Sequence, residues 1–158
     1  MYIRDKAIKE ILNKQEMLEI INKCKVCHVG FTDGLTPYVL AFNFGINENT
    51  IFLHCAKEGY KLDIIKKNNK VCIEFDSDHE LFARHEEVAC SWRMKYRSVI
   101  VWGKAEIVDD YNEKVEGLKI FMKNYSEREF NFSVPSVNNV NVIRIKIDEM
   151  TGRKFEYL

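Results

Sequence analysis

Apolar residues near the start of the chain recur with a helical period. Four of them occupy positions i, i+3, i+4 and i+7, namely Met17, Ile20, Ile21 and Cys24. This spacing predicts a helix over residues 14–24. Asn13 and Glu16 stand three residues apart at its start, which is the spacing of a capping box.

Beyond this helix the pattern changes to short, strand-like runs separated by turn residues such as Asp33-Gly34. Strands are predicted over 26–31, 37–46, 50–56, 70–76, 96–108 and 140–147. Further helices are predicted over 59–68 and 110–125, and long loops over 77–94 and 126–139. These elements do not alternate as βαβ units would. The pattern therefore predicts a mainly β fold, an antiparallel six-stranded barrel with helices packed at its ends.

The length of 158 residues suits one domain, which we place over residues 1–158 with an N-terminal arm at 1–12. Lysine and arginine balance aspartate and glutamate at 24 each, so the basic surplus of a nucleic-acid-binding protein is missing. The charged residues Arg4, Asp5 and Lys6 stand where a signal peptide would have its apolar stretch, and no run of about 20 apolar residues occurs. We therefore expect a cytoplasmic protein without nucleic-acid or membrane partners, whose five cysteines are reduced.

The turn that follows the third predicted strand has the features of an anion site. Lys57, Gly59 and Lys61 lie where a strand gives way to a helix. The first turn of a helix leaves N–H groups free and carries partial positive charge, so it attracts anions. Two solvated lysines on an ordinary turn explain the same residues equally well.

Arg97 is a second candidate, because it lies between apolar residues of the longest predicted strand. A buried guanidinium needs a partner, and a phosphate is one that it binds in bidentate fashion. An ion pair with a carboxylate of a neighbouring strand is the alternative.

Among the four histidines, His54 stands out because it ends a strand just before the anion turn. Proton transfer suits this position, and so does a purely structural role. We interpret His28 as a residue of the barrel wall. His79 and His85 do not have the close spacing of a metal-binding motif. No metal site is predicted. The Rossmann and P-loop glycine motifs are also absent, which excludes those nucleotide-binding classes.

Several segments resemble the pyridoxamine 5′-phosphate oxidase-like flavoproteins, and more narrowly their nitroimidazole-resistance branch. The similarity covers about residues 14–125 and is more distant to the end of the chain. Its main segments are Pro37-Tyr38-Val39, Asn43-Phe44-Gly45, the run from Phe52 to Leu62, Asn68 to Cys72, Tyr96 to Ile100 and Gly103 to Glu106. The histidine–lysine segment and the Tyr-Arg-Ser-Val segment, in this order and separation, are specific together.

This resemblance implies a split barrel that forms a homodimer, with FMN bound in each of two clefts between the subunits. It implies that the phosphate lies near Lys61 and Arg97. The remaining residues implied for cofactor binding are Ser98, Cys55, Ala56, Lys57, Gly59, Phe42, Asn43 and Phe44. His54 matches the family's strand-end histidine and is the candidate catalytic residue.

Two segments depart from the family pattern. Val101-Trp102 replaces a smaller pair, and Ala83-Arg84-His85 replaces a glycine-containing loop. The first adds bulk at the barrel wall and the second changes the expected contacts with the partner subunit.

The sequence thus predicts an FMN-dependent oxidoreductase that reduces a nitroaromatic or another small flat acceptor. It does not separate FMN from FAD. Two alternatives stay open: a flavin- or haem-binding protein without turnover, and a vitamin B6 (pyridoxamine phosphate) oxidase. The second has less support, because only Arg153 and Lys154 stand close together near the C-terminus, where that activity requires basic residues.

Overall fold

The computed structural model of the protein describes residues 7–157. The predicted arm at residues 1–12 is therefore described only in part, and residues 1–6 lie outside the described chain. Within the described part, Ile8–Ile11 form a strand that pairs with the C-terminal strand. This end of the arm is thus an integral part of the sheet.

The elements lie close to the predicted ones in the first half of the chain. The strands are β1 (Ile8–Ile11), β2 (Cys27–Thr32), β3 (Pro37–Phe42), β4 (Gly45–Asn47), β5 (Thr50–Ala56), β6 (Lys70–Ala83), β7 (Trp92–Val108) and β8 (Val140–Phe155). The helices are α1 (Lys14–Lys23), α2 (Tyr60–Lys67), α3 (Tyr111–Lys123) and α4 (Val134–Asn138), with a single 3-10 turn at Ala89–Ser91. None of the helices in the described part of the chain is both long and apolar enough to cross a membrane.

All pairings in the sheet are antiparallel, in the order β3-β2-β6-β7-β8-β5-β4, with β1 beside β8. The edge strands β3 and β4 are consecutive in the chain and are joined by Asn43 and Phe44 alone. The sheet must therefore curl until its two edges approach each other, although within residues 7–157 no ladder closes it. This confirms the predicted mainly β, antiparallel split barrel with flanking helices.

The described residues form eight strands rather than six, because β1 adds one and the predicted strand over 37–46 is divided. The division occurs at Phe44, whose N–H donates to the Tyr125 hydroxyl at 2.8 Å. The Phe44 carbonyl accepts a hydrogen bond from Asn124 Nδ2 at 2.9 Å. These side chains just after α3 satisfy the backbone groups that a continuous strand would have paired.

The prediction of a loop over residues 77–94 is wrong. β6 continues to Ala83 and β7 begins at Trp92, so the two strands form a long hairpin. A register shift between Ser77 and Glu80 interrupts the alternation of side chains, and this bulge hides the strand from periodicity analysis. The last strand also runs beyond its predicted end, to Phe155, because it pairs with both β7 and β1. The predicted loop over 126–139 contains α4.

The core fills the barrel interior and extends beneath two helices. Phe44 and Phe75 are fully buried and meet edge to face, with ring centroids 4.9 Å apart. The helix α1 packs at the end of the barrel where β2 begins. At the opposite end, Asn68 follows α2 and donates its Nδ2 to the carbonyl of Thr32, the last residue of β2, at 3.0 Å. The two helices thus close opposite ends of the barrel.

Candidate functional site

The turn between β5 and α2 contains the residues of the predicted anion site. Gly59 precedes α2 with φ of 142°, a conformation that favours glycine, and no side chain caps the helix start. The Leu62 N–H donates to the Gly59 carbonyl at 2.9 Å. Lys61 Nζ lies 3.3 Å from the position that a Gly59 Cβ would occupy. The uncapped helix start and the Lys61 ammonium therefore lie side by side, which is the arrangement that holds an anion.

Lys114, on the first turns of α3, adds a third cation to this turn. Its side chain is only 5% exposed, and Nζ donates to the Val140 carbonyl at 2.7 Å. Burial, and then the charge of neighbouring Lys57, lower the pKa of Lys114. Asn141 Nδ2 donates to the carbonyls of Ala56 and Lys57, both at 3.2 Å, and ties the turn to β8.

Sequence analysis missed Lys114. It lies next to the apolar stripe of α3 and has no motif around it. Ala56 pairs with Val140, so the start of β8 lies beside the turn. Lys114 is hydrogen-bonded to the Val140 carbonyl and therefore lies there too.

His54 and Cys55 end β5 beside this turn. His54 is exposed at the surface, but its ring packs edge-on against Phe121 with centroids 4.5 Å apart. Partial burial lowers the pKa of His54, so its imidazole is neutral at pH 7. Cys55 is buried, and burial raises the pKa of its thiol although Lys61 acts in the opposite direction. His54 is therefore the residue of this strand end that is suited to proton exchange, and Cys55 is a protonated core thiol.

Arg97 has a partner within the same chain. Its Nη1 lies 2.8 Å from Asp78 Oδ2, and its guanidinium stacks on Tyr157 at 4.1 Å from the ring centroid. Burial acts to raise the pKa of Asp78, but Arg97 and Lys23 outweigh it and hold that pKa below its usual value. Within one chain, the alternative of an arginine–carboxylate pair is the one observed.

Lys61 and Arg97 do not meet within one protomer. Lys61 belongs to α2, at the end of the barrel where β2 stops. Arg97 pairs across the sheet with Ser77, which lies beyond the start of β2. The strand between these ends has six residues, or about 20 Å at 3.4 Å per residue. A single phosphate cannot contact both side chains unless a second copy contributes one of them.

The other predicted cofactor residues are divided between surface and core. Asn43 is exposed, and Phe42 is half-buried against Phe31, with ring centroids 6.2 Å apart. Phe44 belongs to the core, and its backbone groups are already paired, so its side chain is not available to a ligand at the surface. Ser98 lies beside Arg97 but faces the opposite side of β7, as alternation in a strand requires.

A cleft of about 580 Å³ lies between the exposed face of α3 and the segment 126–131. None of the predicted cofactor residues lines it. The cluster of Lys57, Lys61 and Lys114 is therefore separate from this cleft.

Comparisons with known proteins agree with this fold. The family model for pyridoxamine 5′-phosphate oxidase matches residues 13–154. A solved structure from Bacteroides thetaiotaomicron, described as a candidate 5-nitroimidazole antibiotic resistance protein, is 38% identical, with a TM-score of 0.84 over 94% of this chain and 87% of its own. No curated protein was found to match the chain.

More distant structures share the fold alone. A flavocytochrome from Azotobacter vinelandii is 20% identical, with a TM-score of 0.78 over 94% of this chain and 70% of its own. A protein from Mycobacterium smegmatis described as binding FAD and haem is 13% identical, with a TM-score of 0.81 over 94% of this chain and 74% of its own. The match of the family model over most of the chain and the 38% identity decide the assignment. The chain belongs to the pyridoxamine 5′-phosphate oxidase family.

Proposed function

We propose that this protein is an FMN-dependent oxidoreductase, active as a homodimer, that reduces a nitroaromatic or another small flat acceptor. The observation that carries the proposal is the cluster of Lys57, Lys61 and Lys114 around an uncapped helix start. Burial, and then the charge of Lys57, disfavour the charged form of Lys114. A bound dianion removes that repulsion.

The residues present fit the phosphate of FMN. Lys61 Nζ lies beside Gly59, the residue that precedes the uncapped start of α2, and Gly59 has no side chain to keep an anion from the backbone. Each charged hydrogen bond to a phosphate contributes about 1.5–3 kcal/mol. Lys57 and Lys114 add positive charge beside these donors.

An exposed apolar stripe supports a dimer. Trp92, Met94 and Trp102 all face outward from β7 and are 47%, 43% and 38% exposed. Aromatic residues and methionine are enriched where proteins associate, and a continuous exposed apolar patch favours contact with another surface. A second copy covering this face is the occupant that we propose. Arg97 faces the other side of β7 and gives a separate reason to expect a dimer. Arg97 of one protomer can approach the Lys61 turn only of the other.

The flavin would supply the electron transfer, and the protein would position it and manage protons. His54 lies at the end of the strand that leads into the phosphate turn, and Phe121 holds its ring in one orientation. A neutral imidazole with an accessible edge can take a proton from solvent and pass it to a reduced acceptor. His54 is thus the proposed proton donor.

The acceptor class rests on the 38% identical relative, which is described as a candidate 5-nitroimidazole antibiotic resistance protein. A second candidate function, flavin binding without turnover, is favoured by the names of the distant relatives, a flavocytochrome and a protein that binds FAD and haem. These names also keep FAD as an alternative to FMN.

Steady-state kinetics separates the two functions. Purified protein with FMN, NADPH or NADH, and a 5-nitroimidazole should oxidise many equivalents of the nicotinamide per flavin. We expect His54→Gln to lower this rate while leaving flavin binding unchanged. Reduction that stops after one equivalent per flavin would contradict an oxidoreductase and favour the binding protein.

A further inference from the structure

We propose that His28, Glu74, Asp76 and His79 form a binding site for a divalent transition metal, Zn²⁺ being the ion that best fits, on the outer face of the sheet. The site is independent of the proposed flavin function. It lies across β2 and β6, and it shares no residue with the β5–α2 turn.

The antiparallel register creates the cluster. His28 stands directly opposite Glu74, and Asp76 follows two residues later on the same face of β6. His28 Nδ1 lies 3.5 Å from Glu74 Oε2. One ligand atom from each of His28, Glu74 and Asp76 lies within 4.8 Å of the other two. Because 46 residues separate His28 from Glu74 in the sequence, linear spacing does not predict a metal site here.

A β-bulge brings in the second histidine. The register shift between Ser77 and Glu80 and the positive φ of Asp78, 56°, turn the chain so that His79 Nε2 lies 2.7 Å from Asp76 Oδ2. Bulges commonly re-aim side chains in this way. The conformation of Asp78 is fixed by Lys23 and Arg97 on its carboxylate. The hydroxyl of Tyr157 donates to the Asp78 carbonyl at 2.8 Å.

The charge of the cluster favours a cation. Within residues 7–157, the ion-pair partners of Glu74 and Asp76 are His28 and His79, and no lysine or arginine pairs with either carboxylate. Two neighbouring carboxylates without a lysine or arginine partner in the described chain make a region that a divalent ion would neutralise.

The donor atoms select the type of metal. Two imidazole nitrogens and two carboxylate oxygens suit Zn²⁺, which binds such ligands at about 2.0–2.2 Å in tetrahedral geometry. Donor atoms around such an ion are roughly 3.4 Å apart. The ligand atoms of His28, Glu74 and Asp76 lie within 4.8 Å of one another, and His79 lies 2.7 Å from Asp76. Rotation of the exposed His79 side chain toward the other three would complete the tetrahedron.

The test is calorimetric titration of the full chain with ZnCl₂, carried out on Cys90→Ser protein to remove the exposed thiol. We expect one Zn²⁺ per chain. The variant H28A/H79A should bind Zn²⁺ at least 10-fold more weakly, whereas the matched control H85A, which removes another exposed histidine, should bind as before. If the double variant is unstable, Glu74→Gln tests for the same loss of Zn²⁺ affinity. Unchanged affinity in either H28A/H79A or Glu74→Gln would overturn the proposal.

Cobalt gives an independent readout. Co²⁺ bound by nitrogen and oxygen in tetrahedral geometry gives strong visible absorption without a thiolate charge-transfer band. Cys24 and Cys72 lie near the cluster: the Cys24 thiol donates to the Asp76 carbonyl at 3.3 Å, and Cys72 precedes Glu74 by two residues in β6. A thiolate band would place the metal on those cysteines and would contradict the proposed ligands. Flavin absorbance recorded in the same samples shows whether the substitutions or the metal change flavin binding.

Discussion

Lys57 and Lys114 meet at the end of β5, where Lys114 is almost fully buried and its pKa is lowered by burial and by the charge of Lys57. Lys114 stays in place through one hydrogen bond from Nζ to the Val140 carbonyl. The charge of Asp109 acts in the opposite direction but does not outweigh burial and Lys57. The pair therefore marks the place where the phosphate of the cofactor should bind.

Replacing Lys114 with methionine should weaken FMN binding while keeping the length of the side chain. Loss of one charged contact corresponds to about 1.5–3 kcal/mol, or roughly 10-fold to 150-fold in affinity. Titration with quenching of flavin fluorescence measures the change. The matched control is Lys119→Met on the same helix, where Lys119 is exposed and pairs with Glu116 at 3.0 Å. Equal affinity in the two variants would show that Lys114 does not contact the cofactor.

Subunit mixing tests whether the site is shared between protomers. Lys61→Met and Arg97→Met should each weaken FMN binding as homodimers. If Arg97 completes the site of its partner, a dimer with one subunit of each variant has one intact site and one site that lacks both residues. We expect flavin binding to recover to about half the sites of the mixed dimers, or about a quarter of all sites after equal amounts of the two variants are mixed and exchanged. Mixing without recovery would mean that both residues act within one chain or that one of them is not at the site.

The imidazole of His54 should make stability sensitive to acid. Burial holds the folded pKa of His54 below its usual 6.5, so the unfolded chain binds a proton more readily than the folded one. This contribution is fully present above pH 6.5 and is lost as the pH falls through the lower, folded pKa. Urea unfolding at pH 7.5 and at pH 5.5 should show a smaller loss of stability for His54→Gln than for the unmodified chain. An identical loss would mean that His54 titrates normally.

The core pair of Phe44 and Phe75 should dominate the stability of the barrel. Phe75→Ala should reduce the free energy of unfolding by about 3–5 kcal/mol, because it removes a fully buried ring and leaves a cavity. Phe75→Leu should cost less, since much of the volume is kept. Denaturant titration of both variants makes the comparison. Equal, small losses would indicate that the ring contact contributes little.

The local order of helices and strands could be predicted from the sequence because each element has its own period. The stripe of α1 and the alternation of β2 both follow the burial that the structure shows. The β6–β7 hairpin could not be predicted in this way. Its distal half is held by cross-strand contacts such as Lys95 with Glu80 at 3.0 Å, and polar residues on both faces hide its period.

The candidate site was predictable only where its residues are adjacent in the chain. Lys57, Gly59 and Lys61 belong to one turn, so an anion site there can be predicted from neighbouring residues of the sequence. Lys114 reaches the same turn through the pairing of β5 with β8, which depends on the whole sheet. The pairing of Arg97 with Asp78 depends on the bulge in β6 and was foreseen only as an alternative.

The most direct test of the central claim is the visible absorption spectrum of the purified protein, followed by FMN titration of the unmodified chain and of a Lys57→Met/Lys61→Met variant. We predict a yellow protein with one flavin per chain and a variant that is folded, pale and at least 10-fold weaker in binding FMN. A colourless protein that does not respond to added FMN would contradict flavin binding itself. A folded variant that binds FMN as tightly as the unmodified chain would contradict the placement of the phosphate at the β5–α2 turn.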